Sequence, residues 1–206
     1  MTHFAGCPRV AVITIMDLVT RKWICEIVFG EQTATQIQAA FCDALELEGL
    51  SELVAERQDS VTDPLLDAAV RRPILLTVSD NGPQMTSGST REYMAMCAIA
   101  QHFGRPDTPT DQAWIESLFS HIKADWPHLK AITDAAVLRA KLAVVRVEYN
   151  TVRLHAAIGY VTPDDEHQGR SPAIRRARRV GLIRARRQRI AYHRLKHRQS
   201  QPPQNR

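Results

Sequence analysis

Apolar positions along the chain fall into a short series of alternating periods. Val10 to Ile15 is an apolar, mostly β-branched run, and after the break Asp17 to Lys22 a second such run extends from Trp23 to Phe29. Two strands joined by a tight connection are predicted. Between Thr33 and Leu47 the apolar residues Ile37, Ala40, Phe41, Ala44 and Leu45 follow helical spacing, as for a helix lying on a sheet, and Gly49 is placed to end it. Ser51 to Arg72 is polar, contains Pro64, and reads as helix and loop. The continuous apolar run Ile74 to Ser79 predicts a buried strand, stopped by Asp80-Asn81-Gly82-Pro83, which sets the Asp80 carboxylate at the rim of a sheet. Arg91 to His102 reads as helix. After the loop Gly104 to Thr110, Asp111 is placed to cap a helix with Ile115, Leu118, Phe119 and Ile122 on its apolar side. On that helix Glu116, Ser120 and Lys123 form a separate polar stripe. A further helix after the cap Thr133 carries Leu138, Leu142, Val145 and Tyr149 on one face. The order of elements predicts an α/β fold, a mixed sheet flanked by helices.

Charge changes this picture at the C-terminal end. From Arg170 to Arg206 there are thirteen Lys and Arg residues and no acid, which leaves 14 basic against 22 acidic residues in positions 1–169. Ser171-Pro172 is a cap and first-turn pair for a basic helix that Gly181 is expected to end, with Leu182 to Arg198 resuming as helix. Two units are expected: a core over 1–165 and an Arg-rich tail over 166–206. A basic arm on an acidic body suits a polyanionic partner, and a solvated helical tail is the plainer alternative. The cysteines Cys7, Cys25, Cys42 and Cys97 form no C-x-x-C pair and read as reduced core residues. His3, Cys7, Cys97 and His102 match no zinc spacing, so no zinc site is expected. The longest apolar run is far too short to span a bilayer, and no membrane partner is expected.

The candidate chemistry rests on two carboxylates, Asp80 at a strand end and Glu116 on a helix, 36 positions apart. Each has an ordinary structural reading: Asp-Asn-Gly-Pro is common turn chemistry, and exposed helix glutamates are commonplace. Their surroundings carry more. Ser79-Asp80-Asn81-Gly82-Pro83-Gln84 followed by Asp111-Gln112-Ala113-Trp114-Ile115-Glu116-Ser117 resembles the second and third elements of the D, D-35-E motif of integrase-type transposases from bacterial insertion sequences. Tyr149-Asn150-Thr151-Val152-Arg153-Leu154-His155 with Thr162-Pro163 resembles the segment that closes the core in that family, and Asp17 to Trp23 resembles its segment after the second strand.

This resemblance implies a ribonuclease H-like fold and DNA strand cleavage and transfer, with Asp80 and Glu116 holding two Mg²⁺ (or Mn²⁺) ions. Such hard cations favour carboxylate oxygens and neutralise charge on the attacking and leaving oxygens. It implies DNA as partner, a homo-oligomer, and a place in the bacterial cytoplasm with the nucleoid. Lys123 matches a DNA-end contact of the family, and a surface salt bridge is its alternative. Arg153 and His155 either touch DNA or pin a helix end. Arg175, Arg176, Arg178, Arg179, Arg186 and Arg187 are the expected DNA contacts of the tail.

One departure matters. In the family the first catalytic aspartate precedes a Thr by two residues; Thr2-His3-Phe4 fits that context, which sets the aspartate one residue ahead of Met1. The first strand is therefore expected to be incomplete. Asp17 aligns with a non-metal position and is expected to hold its turn or pair with Arg21. With two of three acids the chain is expected to be inactive or impaired. The alternative is a truncated transposase that only binds DNA or regulates. A nuclease of the ribonuclease H type is a third, weaker reading, which the Tyr149 to His155 segment opposes.

Overall fold

The computed structural model describes residues 2–3, 10–30, 33–61, 72–105, 108 and 113–200. The expected Pro64 loop and Asp111 cap lie outside them.

The antiparallel pair β2 (Ala11–Met16) and β3 (Trp23–Phe29) forms the centre, in register from Ala11 opposite Phe29 to Ile15 opposite Cys25. Their connection is closed by backbone bonds from Asp17 N–H to Lys22 O and from Arg21 N–H to Asp17 O, both 2.9 Å. Arg21 takes a left-handed φ of 66° there. The Asp17 carboxylate holds the turn by accepting from Val19 N–H at 2.9 Å and the Thr20 hydroxyl at 2.6 Å. The short strand β1 (Thr2–His3) pairs antiparallel with β2 at Val12 and Ala11. A separate parallel pair is made by β4 (Leu75–Ser79) and β5 (Ile99–Phe103). The sheet is thus mixed in character and lies in two pieces among the described residues.

Because side chains alternate along a strand, β2 feeds two cores. Val10 and Val12 join Trp23 against α5 (Ala113–Asp125) and α6 (Ala135–Thr151), through Leu118, Phe119, Ile122, Leu138, Leu142, Val145 and Tyr149. Ala11 and Ile13 face the other way, with Phe29, toward α1 (Ala34–Leu47), α2 (Ser51–Val61) and α4 (Gly88–Met96), which is preceded by the single turn α3 (Pro83–Thr86). Of these, β2, β3, α1, α5 and α6 are elements that the 3.6 and 2.0 periods predict, and β4 forms where expected but with Leu75 and Leu76 exposed rather than buried; the whole has a ribonuclease H-like arrangement.

Three local expectations are corrected. The helix expected over Arg91 to His102 stops at Met96; Ala98 turns with φ 53°, and Ile99–Phe103 becomes a strand. Met94 and Cys97 keep a helical spacing into the turn, but pairing with β4 overrides it. Asp134, not Thr133, caps α6, its carboxylate accepting from Ala136 and Val137 N–H. Finally, α7 (Pro163–His167) leads to α8 (Ser171–Ser200), one helix of 30 residues that runs through Gly181. A mid-helix glycine costs only about 1 kcal/mol, which Arg- and Ala-rich flanks absorb. The expected division between 165 and 166 falls inside α7.

Candidate active site and nucleic-acid interface

Asp80 sits half-buried at the C-terminal end of β4, where its Oδ1 accepts from Gly82 N–H at 3.0 Å. The turn is tied to the end of β5: Gly104 N–H donates to Ser79 O at 2.8 Å and the Asn81 side chain donates to Gly104 O at 2.8 Å. A Cβ at Gly82 would lie 2.6 Å from the Gln84 side-chain nitrogen and 2.9 Å from Asp80 Oδ1, so a larger residue there would push both side chains from these positions. Asp80 therefore has the turn role and is also held in place by it.

Glu116 is exposed on the first turn of α5. Its neighbours Trp114 and Ile115 line, together with Asp80, one cavity of about 740 Å³ between β2 and β4. Asp80 and the α5 residues Trp114 and Ile115 thus border the same space, while Glu116 itself is not among the residues that line it. A carboxylate on a helix's first turn is favoured by the partial positive charge there. Ser120 and Lys123 continue from Glu116 on the side of α5 away from the buried Leu118, Phe119 and Ile122. Burial, with Lys130 nearby, holds the Lys123 ammonium below its usual pKa.

Two features of this rim escaped the sequence. The Arg21 guanidinium lies 3.6 Å from the centre of the Trp114 ring, which ties the β2–β3 turn to the start of α5. A polar cluster joins Lys22 Nζ to Glu48 Oε1 at 2.8 Å, His167 Nε2 to Glu48 Oε2 at 2.7 Å and His167 Nδ1 to the Thr20 hydroxyl at 3.2 Å. Both link residues far apart in the chain, 93 positions for Arg21 and Trp114 and 119 for Glu48 and His167, so no local pattern signalled either.

The segment from Tyr149 to His155 is structural in its contacts. The Asn150 side chain accepts from Trp23 N–H at 2.9 Å and donates to Trp23 O at 2.8 Å, so α6 binds β3 as a further strand would. Tyr149 packs edge-on against Trp23 and His155, with ring centres 6.1 and 4.8 Å away. Arg153 pairs with Asp125. His155 is pushed down to about 4, first by burial and then by Arg153, His121 and Arg21. Its backbone pairs with Val161.

The tail arginines divide into two sets. Arg175 bonds Glu166 and Ile158 O, both at 2.7 Å, and Arg178 donates to Gly159 O and Tyr160 O at 3.0 and 2.6 Å. These two dock α8 on the loop before α7. Arg176, Arg179, Arg186 and Arg187 are exposed.

Asp80 and Glu116 have the hard oxygen donors that Mg²⁺ prefers. Among the described residues, however, no group of three or more His, Cys, Asp or Glu is assembled to hold an ion.

Residues 97–163 match the family model described as integrase core domain. An uncharacterized 31.7 kDa protein of insertion element IS407 from Burkholderia multivorans (strain ATCC 17616 / 249) is 28% identical over 87 residues, 42% of this chain and 31% of that protein. The chain thus spans under a third of that relative's length. The crystal structure of the catalytic core domain of BIV integrase superposes with a TM-score of 0.55 at 17% identity, covering 82% of this chain and 92% of that one, which shows the shared fold.

Proposed function

Starting from a chain that carries a segment of the integrase core domain over residues 97–163, on the fold of a retroviral integrase core, we propose that this protein belongs to the DNA-transposing machinery of an insertion sequence. Asp80 and Glu116 are its metal-binding carboxylates, and residues 1–165 and 166–206 are its core and its DNA-binding arm. The observation that carries this reading is the common border of Asp80 and the first turn of α5 on one cavity at the end of β4. Divalent ions bound there would neutralise charge on the phosphodiester oxygens in strand cleavage and transfer. The chain's own contribution is to hold Asp80 through the Gly82 turn and to anchor α5 through Arg21 and Trp114. Lys123 lies two turns along α5 from Glu116 and would meet the DNA backbone. Arg153 and His155 pin the end of α6. The working unit is a homo-oligomer on DNA, and no described helix is long and apolar enough to cross a membrane.

Mn²⁺ titration followed by electron spin resonance tests the site directly. Asp80→Asn and Glu116→Gln should each weaken binding by about tenfold or more; unchanged binding in both would reject the assignment.

The exposed set Arg176, Arg179, Arg186 and Arg187 supports a second reading, a protein that binds DNA through α8 without cutting it. With six to ten phosphate contacts, affinity should fall by roughly 10³–10⁵ between about 50 and 200 mM salt. Truncation after Gly181 keeps the docking arginines and should remove most of that slope; an unchanged slope would reject the arm.

A further inference from the structure

We propose that α8 docks on a second copy of this chain, its stripe of Val180, Ile183 and Ile190 covering the exposed corner where α1 meets α2. Helical period sets the stripe. Arg176, Val180, Ile183, Arg187, Ile190 and Arg194 follow one another at alternating steps of four and three, which places all six on one side of the helix. α8 is held to its own core at its beginning, by Arg175 and Arg178. From Arg176 to His197 every residue except Ala185 is exposed, and Val180, Ile183 and Ile190 are 56%, 49% and 43% exposed.

Such a helix gains most of its stability by packing an amphipathic face, and arginines three apart, such as Arg176 and Arg179 or Arg184 and Arg187, repel each other along it. A fitting partner therefore supplies both negative charge and apolar cover. DNA phosphates supply the charge and leave the stripe in water. The body of this chain supplies both. Positions 1–169 carry 14 basic against 22 acidic residues. At the corner turned by Gly49, with φ 67°, exposed Leu47 and Leu53 stand next in sequence to exposed Glu46 and Glu52. Charge also decides against the other exposed apolar stripe, Val137, Val144 and Val147 on α6, where exposed Arg139 and Lys141 outnumber Glu148 and would repel α8.

The corner belongs to a second copy because α8 is one unbroken helix, exposed along this length, and so does not cover the corner of its own core. Two chains related by a two-fold axis would each give an arm and receive one. Arg179 and Arg186 lie outside the stripe, so it overlaps the DNA-facing set only in part. The inference rests on the homo-oligomer of the reading above and names its surfaces, and it needs neither metal nor DNA.

Sedimentation velocity of the full chain, without DNA or metal, is expected to show a dimer at low salt that dissociates as salt rises and screens the charges. Arg187→Glu with Arg194→Glu, and separately Glu46→Arg with Glu52→Arg, should each weaken the dimer at least about tenfold, because like charges then face each other. Mixing these two double variants sets Glu opposite Arg again and should restore the dimer. Ile183→Asp should weaken it as well. All these positions are exposed, so each variant should melt with the parent. A monomer at low salt, a dimer that neither double variant weakens, or double variants that fail to restore one another on mixing would overturn the proposal. Any of those results would leave Mn²⁺ binding at Asp80 and Glu116 unchanged, so failure here and failure of the metal site are read separately.

Discussion

The double hydrogen bond between Asn150 and Trp23 makes the most exacting prediction. Replacing Asn150 with Ala removes both partners from Trp23 N–H and Trp23 O, at 2.9 and 2.8 Å, at a residue with no exposed surface. A buried backbone group without a partner costs about 1–3 kcal/mol, so two cost about 2–6 kcal/mol against a total domain stability of about 5–15 kcal/mol. Urea unfolding followed by tryptophan fluorescence reads this directly. For a slope near 2 kcal/mol per molar the midpoint should fall by about 1–3 M, while the exposed-site control Glu148→Ala should stay within about 0.5 kcal/mol of the parent. Asn150→Asp adds a signature. Its carboxylate can still accept from Trp23 N–H but faces Trp23 O without a proton, so burial and repulsion raise its folded pKa. Stability of that variant should recover as pH falls and the acid regains a donor. A loss under about 1 kcal/mol for Asn150→Ala would show that α6 is not held to β3 by these bonds, and the structural account of the Tyr149–His155 segment would fail.

Glu26 is buried beside Arg146, 2.8 Å away but poorly aligned for a hydrogen bond, and burial outweighs that attraction to push its carboxyl up to about 7. Its folded pKa exceeds the unfolded one, so it lowers stability as pH rises from about 4.5 to 7, by up to about 3 kcal/mol; in Glu26→Gln this slope should vanish from the urea midpoints, and a slope that persists would refute the assignment. His155 works oppositely over nearly the same window: it stays neutral in the fold with its pKa at about 4, so stability is lost as pH falls from about 6.5 toward that value. His155→Phe should abolish that loss and leave the Glu26 slope exposed, as read by thermal melting at pH 4, 5, 6 and 7. Gly159→Ala should destabilise by about 1–3 kcal/mol, because φ is +77° and the new Cβ would sit 3.0 Å from Arg175 Cδ; an unchanged melting temperature and unchanged protease resistance of α8 would refute the docking role of Arg175.

Much of the core was legible because it depends on local period. β3 matches its apolar run from Trp23 to Phe29, and α1, α5 and α6 bury the residues their 3.6 spacing selects. The Asp17 turn was readable too, since Asp side chains bond amides two residues on. β5 was not. Ile99 to Phe103 has no strand pattern of its own strong enough to compete with the helix before it, and only the β4 backbone beside it supplies the ladder. The tail shows the same split: its charge is visible in the sequence, but the assignment of Arg175 and Arg178 to docking depends on carbonyls 17 to 19 positions away.

By itself, then, the sequence determined which segments bury apolar faces, where the positive charge lies, and which two carboxylates stand at a strand end and a helix start. Those follow from side-chain chemistry and the repeat of each element. The tertiary structure alone decided that Asp80 and the start of α5 border one cavity and that Asn150 serves as a strand partner for Trp23. Hydrogen-bond partners far apart in the chain are selected by packing, and no local pattern records them.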